Sequence, residues 1–188
     1  MNALIIAILR AFQFIFSIIV LGISISLAKG QRIDAVPAST GYAAFTGGLG
    51  TLASLIGAAG IFIESLQTLI TWAIDGLAGL AFVAGGITYA VLLRGTSCSN
   101  YESIWDNTII SGGCTKIDKT KVCGYTPSPA KSRCTSAQAD TAFMFLGFVV
   151  CVGVWWSGIC LSDCKDEVCD MCSMMSNAVV LYTVGCGK

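Results

Sequence analysis

Histidine is absent from the 188 residues. Without an imidazole there is no Ser-His or Cys-His pair, and no zincin helix or phosphate-binding loop is present either, so hydrolysis and phosphoryl transfer lack their usual machinery. Charge is scarce: Asp, Glu, Lys and Arg make up 12% of the chain, and eleven bases balance eleven acids. A neutral chain offers no basic surface to a nucleic acid, which removes that partner class. Proline occurs three times, never inside an apolar run, so the broken helices that build a transporter's midplane site are not indicated. No internal repeat suggests duplicated transporter halves. An intramembrane protease needs two catalytic groups near the midplane, and Asp75 has no carboxylate partner at that depth. The chain reads as no enzyme, with no catalytic residues, no cofactor and no metal site.

What is abundant is apolar surface. Hydrophobic residues are 55% of the chain, far from the balance of a soluble domain and indicative of an integral membrane protein. Four segments concentrate them, at about residues 4–27, 42–63, 69–93 and 141–161. Each holds about twenty residues or more, enough at about 1.5 Å per residue to cross a hydrocarbon core of about 30 Å. The first run is longer than a signal-peptide core and lacks a small-residue cleavage site before "KGQR", so it reads as a retained anchor. The expected architecture is an all-α four-helix membrane domain over residues 1–161, with a long loop over 94–136. A cysteine-rich acidic tail follows over 162–188, whose closing "NAVVLYTVGCGK" is too short to span.

Four crossings put both termini on one face. Lys29, Arg32, Arg94, Lys116, Lys119, Lys121, Lys131 and Arg133 then lie on the opposite face, against Arg10, Lys165 and Lys188 on the terminal one, and the positive-inside rule alone would place the termini outside. The cysteines argue the reverse. Cys98, Cys114, Cys123 and Cys134 fall in a loop with too little apolar content for a core of its own, which reads as a disulfide framework in an oxidising compartment. Many of the loop's lysines also lie well away from the helix ends, where their weight is smaller. The cysteines are favoured. From position, Cys98 pairs with Cys134 at the base of the loop and Cys114 with Cys123 inside it.

Ionisable groups within the membrane are costly and point to function by default. Arg10 and Asp75 sit about two turns into the first and third helices from the same face, where they suggest an intramembrane ion pair, joined by Glu64; a proton relay or substrate site is the alternative. Arg94 and Asp140 suggest a weak rim pair at the other face. In the second helix Gly50, Ser54 and Ala58, with Ala53 and Gly57 alongside, form a small-residue face for close helix packing, within the bundle or in a homo-oligomer. Gly76, Gly79, Gly85 and Gly86 do the same for the third.

The stretches "LRAFQFIFSIIVLGISISL", "IDGLAGLAFVAGGITYAVLLRGTSCSN" and "SRCTSAQADTAFMFLGF", in that order over about residues 1–160, resemble fungal MARVEL-domain membrane proteins, and among them the non-classical export protein family. The resemblance implies a MARVEL-type four-helix bundle with cytosolic termini and an outer cysteine-bearing loop. It also implies a non-enzymatic structural role in eisosome-type plasma-membrane microdomains, linked to sphingolipid-dependent signalling and unconventional secretion. The implied partners are membrane lipids, sphingolipid or sterol among them, and other proteins of the same microdomain. The extra Cys114 and Cys123 and the acidic tail depart from the family pattern. A small tetraspan transporter or channel is the alternative, since a pore can be lined without charge.

The tail motif "CLSDCKDEVCDMC" places Cys160, Cys164, Cys169 and Cys172 beside the membrane. Juxtamembrane cysteines are substrates for palmitoylation, and this is the reading adopted. Asp163, Asp166, Glu167 and Asp170 would be repelled by an anionic leaflet, whereas an acyl chain holds a segment down at about 0.8 kcal/mol per buried methylene. Zinc would want a second tight cysteine pair. Unmodified thiols remain the plain alternative.

Overall fold

The computed structural model describes residues 3–33, 35–62, 69–99, 103–104, 107, 109–117, 120–124 and 127–162. Its elements are α1 (Ala3–Lys29), α2 (Ala38–Phe62), α3 (Leu69–Leu92), β1 (Cys114–Ile117), β2 (Thr120–Cys123) and α4 (Pro127–Ser162). All four helices are long and apolar enough to cross a membrane. α1 packs on α2 and α4, and α3 does the same, closing a four-membered ring. α1 and α3 face one another across its middle.

Each helix buries one stripe, with buried positions recurring every three or four residues. On α1 the stripe is Arg10, Gln13, Ser17, Val20, Ser24 and Leu27, more polar than the opposite face with Ile8, Phe12, Ile15, Ile18 and Ile25. In water this arrangement would be inside out. Lipid offers no hydrophobic drive for helix association, so small and polar residues gather at the helix contacts while large apolar side chains face the acyl chains. Leu77, Leu80, Ile87 and Val91 of α3 and Leu146, Val149, Val152 and Trp156 of α4 continue that exposed apolar belt.

Glycine sets how closely the helices approach. A Cβ on Gly47 of α2 would stand 2.6 Å from the backbone nitrogen of Leu21 in α1. One on Gly50 would meet Ser17 Oγ at 2.5 Å and the Phe82 ring at 2.6 Å. That ring, fully buried, also lies against Gly147 of α4, and so fills the middle of the bundle between α2, α3 and α4. Along the α3 to α4 seam, Gly79 faces Cys151, Gly85 faces Met144 and Gly86 faces the ring of Phe145.

The fourth helix begins at Pro127, well before the expected 141, so residues 127–136 of the expected loop are helical. The stretch "PSPAKSRCTSAQAD" is polar enough to end a hydropathy window, yet Ala130, Cys134, Ala137 and Asp140 recur at helical spacing and are all buried. Pro127 and Pro129 occupy the first turn, where a missing N–H costs little. A helix of 36 residues is about 54 Å long, so it extends beyond a hydrocarbon core of about 30 Å.

Its overhang anchors a small cap. β1 and β2 form an antiparallel hairpin in which Cys114 is opposite Cys123, a feature the all-α expectation did not contain. Those two cysteines are joined, with Cα atoms 4.1 Å apart, and Cys98 is joined to Cys134 at 5.6 Å. Gly112 and Gly113 adopt φ of +73° and +86°. A side chain on Gly113 would collide with the Ile33 carbonyl, and the Gly112 carbonyl accepts the N–H groups of Arg32 and Ile33. The α1 to α2 connection is thereby strapped to the cap. Arg133 ties both to α4, donating to the carbonyls of Leu27, Ile109 and Ile110 at 3.0 to 3.1 Å.

Candidate functional site in the bundle interior

Near the end of the bundle that carries the N-terminus, the Arg10 guanidinium meets the Asp75 carboxylate through two parallel bonds of 2.6 Å, Nη1 to Oδ1 and Nη2 to Oδ2. The pair spans the bundle from α1 to α3, and its side chains are only 7% and 1% exposed. Such fork-on-fork geometry is the strong form of a carboxylate contact. Two desolvated charges are costly to bring together, and the attraction repays that cost only when the remaining donors and acceptors are also satisfied. Gln13, one turn from Arg10, provides this. Its Oε1 accepts from Arg10 at 2.9 Å, and its Nε2 donates to Asp75 at 3.0 Å and toward Cys151 Sγ of α4 at 3.4 Å.

The fourth helix of the ring contributes by having no side chain. A Cβ at Gly57 of α2 would run into the Arg10 guanidinium. Gly57 therefore makes room for the charge, a more specific role than general helix packing. Of the other small residues singled out in α2, Gly50, Ala53 and Ser54 are buried and Ala58 is half-buried. Glu64 lies outside the described residues. Arg10 Nε is the network's one polar atom left without a hydrogen-bond partner among the described residues.

Beside this network, a groove of about 270 Å³ runs between α3 and α4. Gly76, Gly79, Leu80, Phe148, Val152 and Trp155 form its walls, and the buried Asp75 and Cys151 also line it. Its walls are almost wholly apolar, and the one carboxylate it reaches is already engaged by Arg10 and Gln13.

A second polar cluster lies toward the opposite end. Asp140 does not form the expected rim pair with Arg94. It is fully buried and accepts a hydrogen bond from Ser24 of α1 at 2.9 Å, while Arg94 is exposed just beyond α3. Because α4 starts so early, Asp140 stands more than three turns inside its helix and not at its mouth. Cys164, Cys169 and Cys172 lie outside the described residues, and Cys160 belongs to the last turns of α4.

Gln13, Ser24, Tyr89, Arg133 and Cys151 were not anticipated as partners. For α1 the signal was present: Arg10, Gln13, Ser17 and Ser24 are polar residues at helical spacing within an apolar run. Cys151 and Tyr89 carry no such mark, because either type packs as an ordinary apolar side chain.

A closed ring of four spanning helices, with polar groups paired inward and an apolar belt outward, defines a multi-pass membrane protein. Residues 3–156 match the MARVEL family, described as the membrane-associating domain, and the chain belongs to that family. No curated protein and no solved structure matches it.

Proposed function

We propose that this protein is a non-enzymatic organiser of plasma-membrane microdomains of the eisosome type, acting through lipid and protein contacts, with a link to sphingolipid-rich membrane and to unconventional secretion. The observation that carries the reading is the buried, bidentate ion pair that locks α1 to α3. Arg10, Asp75 and Gln13 answer one another across the bundle, which suits a rigid body that presents an outer surface to lipid. An apolar belt around fixed helices favours bilayer of matching thickness, and proteins that share the preference become concentrated together. Membership in the membrane-associating family supports it.

In this reading both termini are cytoplasmic. The support is the two cysteine pairs of the cap, which fit an oxidising exterior. Cys160, Cys164, Cys169 and Cys172 are then on the cytoplasmic side, where palmitoylation would dock the acidic tail against the membrane. The groove that reaches Asp75 favours a second reading, a small transporter or channel. Reconstitution of the full chain into vesicles of phase-separating lipids distinguishes them. Partition into one lipid phase without ion or solute flux is the expected result, and flux abolished by Asp75→Asn would establish the second reading instead.

A further inference from the structure

We infer that the groove between α3 and α4 holds one acyl chain of a phospholipid from the leaflet on the terminal side, with the ester carbonyl of that chain accepting a hydrogen bond from the Trp155 indole N–H. The groove is about 270 Å³ and is walled by Gly76, Gly79, Leu80, Phe148, Val152 and Trp155. Both helices are long and apolar enough to cross a membrane, so what lies against their seam is lipid or another spanning helix. The inference needs only a spanning bundle, and it holds whether or not the protein clusters in the plasma membrane.

The groove exists because α3 carries glycine along it. A Cβ on Gly79 would stand 3.3 Å from Cys151 Cβ, and one on Gly76 would stand 3.7 Å from Trp155 Nε1. The nitrogen edge of the indole therefore lies across Gly76. Leu80 is 67% exposed and Val152 42%, so the groove opens outward and not into the bundle. Its deeper neighbours ask for nothing polar. Both oxygens of Asp75 accept from Arg10, Oδ1 accepts from Gln13 as well, and Gln13 also donates toward Cys151. A charged solute gains no partner here, whereas an apolar one covers the outer side of the ion pair.

Depth and direction fit a lipid chain. Trp72, Trp155 and Trp156 stand at this end of α3 and α4, and tryptophan gathers at the membrane–water boundary, where its apolar ring and polar N–H are both served. From that level the groove runs inward to Leu80 and Phe148. Phe148 to Trp155 is about 10 Å along the axis, about two-thirds of one leaflet of a core about 30 Å thick. An acyl chain starts at the same boundary with its ester and runs the same way. The Trp155 N–H makes no hydrogen bond among the described residues. An indole can only donate, and an ester carbonyl can only accept.

Width excludes the other candidate. A helix is about 10–12 Å across with its side chains, so even 10 Å of one displaces about 800 Å³, well beyond the groove's volume of about 270 Å³. A chain one carbon wide enters where a helix is held out.

The test uses the full chain in phosphatidylcholine vesicles doped with a phosphatidylcholine that carries a photoactivatable diazirine partway along one chain. After illumination, peptide mass spectrometry should find the label concentrated on Leu80, Phe148 and Val152, in preference to Leu77 and Val149, which are 57% and 62% exposed at similar depth but lie outside the groove. Trp155→Phe should lower labelling at subsaturating probe about fivefold, the worth of one hydrogen bond. Trp156→Phe, on a ring that is 48% exposed and not part of the groove, should leave it unchanged. Gly76→Leu should fold, since its Cβ meets nothing nearer than 3.7 Å, and should lose the label by filling the groove. Label spread evenly over groove and belt would overturn the inference in favour of ordinary surrounding lipid. Labelling unchanged in Trp155→Phe, or displaced by added cholesterol, would overturn it in favour of a chain held without the indole or of a ring lipid. An unlabelled groove would overturn it by leaving a second copy of the chain as the cover.

Discussion

Replacing Asp75 by Leu leaves a guanidinium only 7% exposed, bonded to Gln13 Oε1 and with no counter-charge. Removing one partner of a buried pair costs about 3–5 kcal/mol, because the other charge stays desolvated and unpaired. Against a typical stability of about 5–15 kcal/mol, that is a large share of the total. Arg10→Leu should cost a similar amount by stranding the carboxylate. The double variant removes both charges, and its remaining penalty is the Gln13 side-chain amide, which loses partners on both its atoms at about 1–3 kcal/mol. It should therefore be more stable than either single variant, with a coupling of about 2 kcal/mol or more in the double-mutant cycle. Adding Gln13→Leu should bring the protein close to wild type. Equilibrium unfolding in mixed micelles, followed through the four tryptophans, reads all of these. Single variants within about 0.5 kcal/mol of wild type, the range of ordinary surface substitutions, would refute the reasoning. The two side chains would then be reaching water independently.

Other expectations follow from the packing and the cap. Gly47→Ala should destabilise by about 1–3 kcal/mol, since the new methyl meets the α1 backbone, whereas Gly22→Ala should be near neutral because its position is open; equal effects in the same unfolding assay would contradict the glycine argument. Cys98→Ser should cost about 4 kcal/mol, the chain-entropy value for a closed loop with a sequence separation of 36, and non-reducing mass spectrometry that finds Cys98 and Cys134 as free thiols would remove the bridge from the account. Acyl-exchange labelling should give a hydroxylamine-sensitive signal that disappears when Cys160, Cys164, Cys169 and Cys172 are all changed to Ser; an unlabelled wild type, or a variant labelled as strongly, means the tail is not acylated there.

The four crossings were legible because bilayer thickness turns hydropathy into a length requirement, and α3 lies within a residue of its expected end. The start of α4 was not, since hydropathy registers residues that face lipid and passes over helix that emerges into water. Only the recurrence of Ala130, Cys134, Ala137 and Asp140 shows the extra turns. The same limit hid the environment of Asp140: with the helix thought to start at 141, a carboxylate at its mouth looks like a rim charge, and fourteen further residues of helix turn it into a buried one. Arg10 and Asp75 stood out because charge is conspicuous in an apolar run. In the sequence Gly57 is one of several small packing residues, and its specific use, clearing space for a guanidinium, depends on the rotation of α2 about its axis, which no spacing within α2 alone encodes.

The central claim, that this chain organises membrane rather than moving solutes through it, is met most directly by imaging. The full-length protein carrying a small fluorescent tag, expressed at its native level in the cell it comes from, is predicted to sit in discrete, stable plasma-membrane patches that disperse when sphingolipid synthesis is inhibited. A uniform distribution over the plasma membrane, or residence in an internal membrane, would contradict the account.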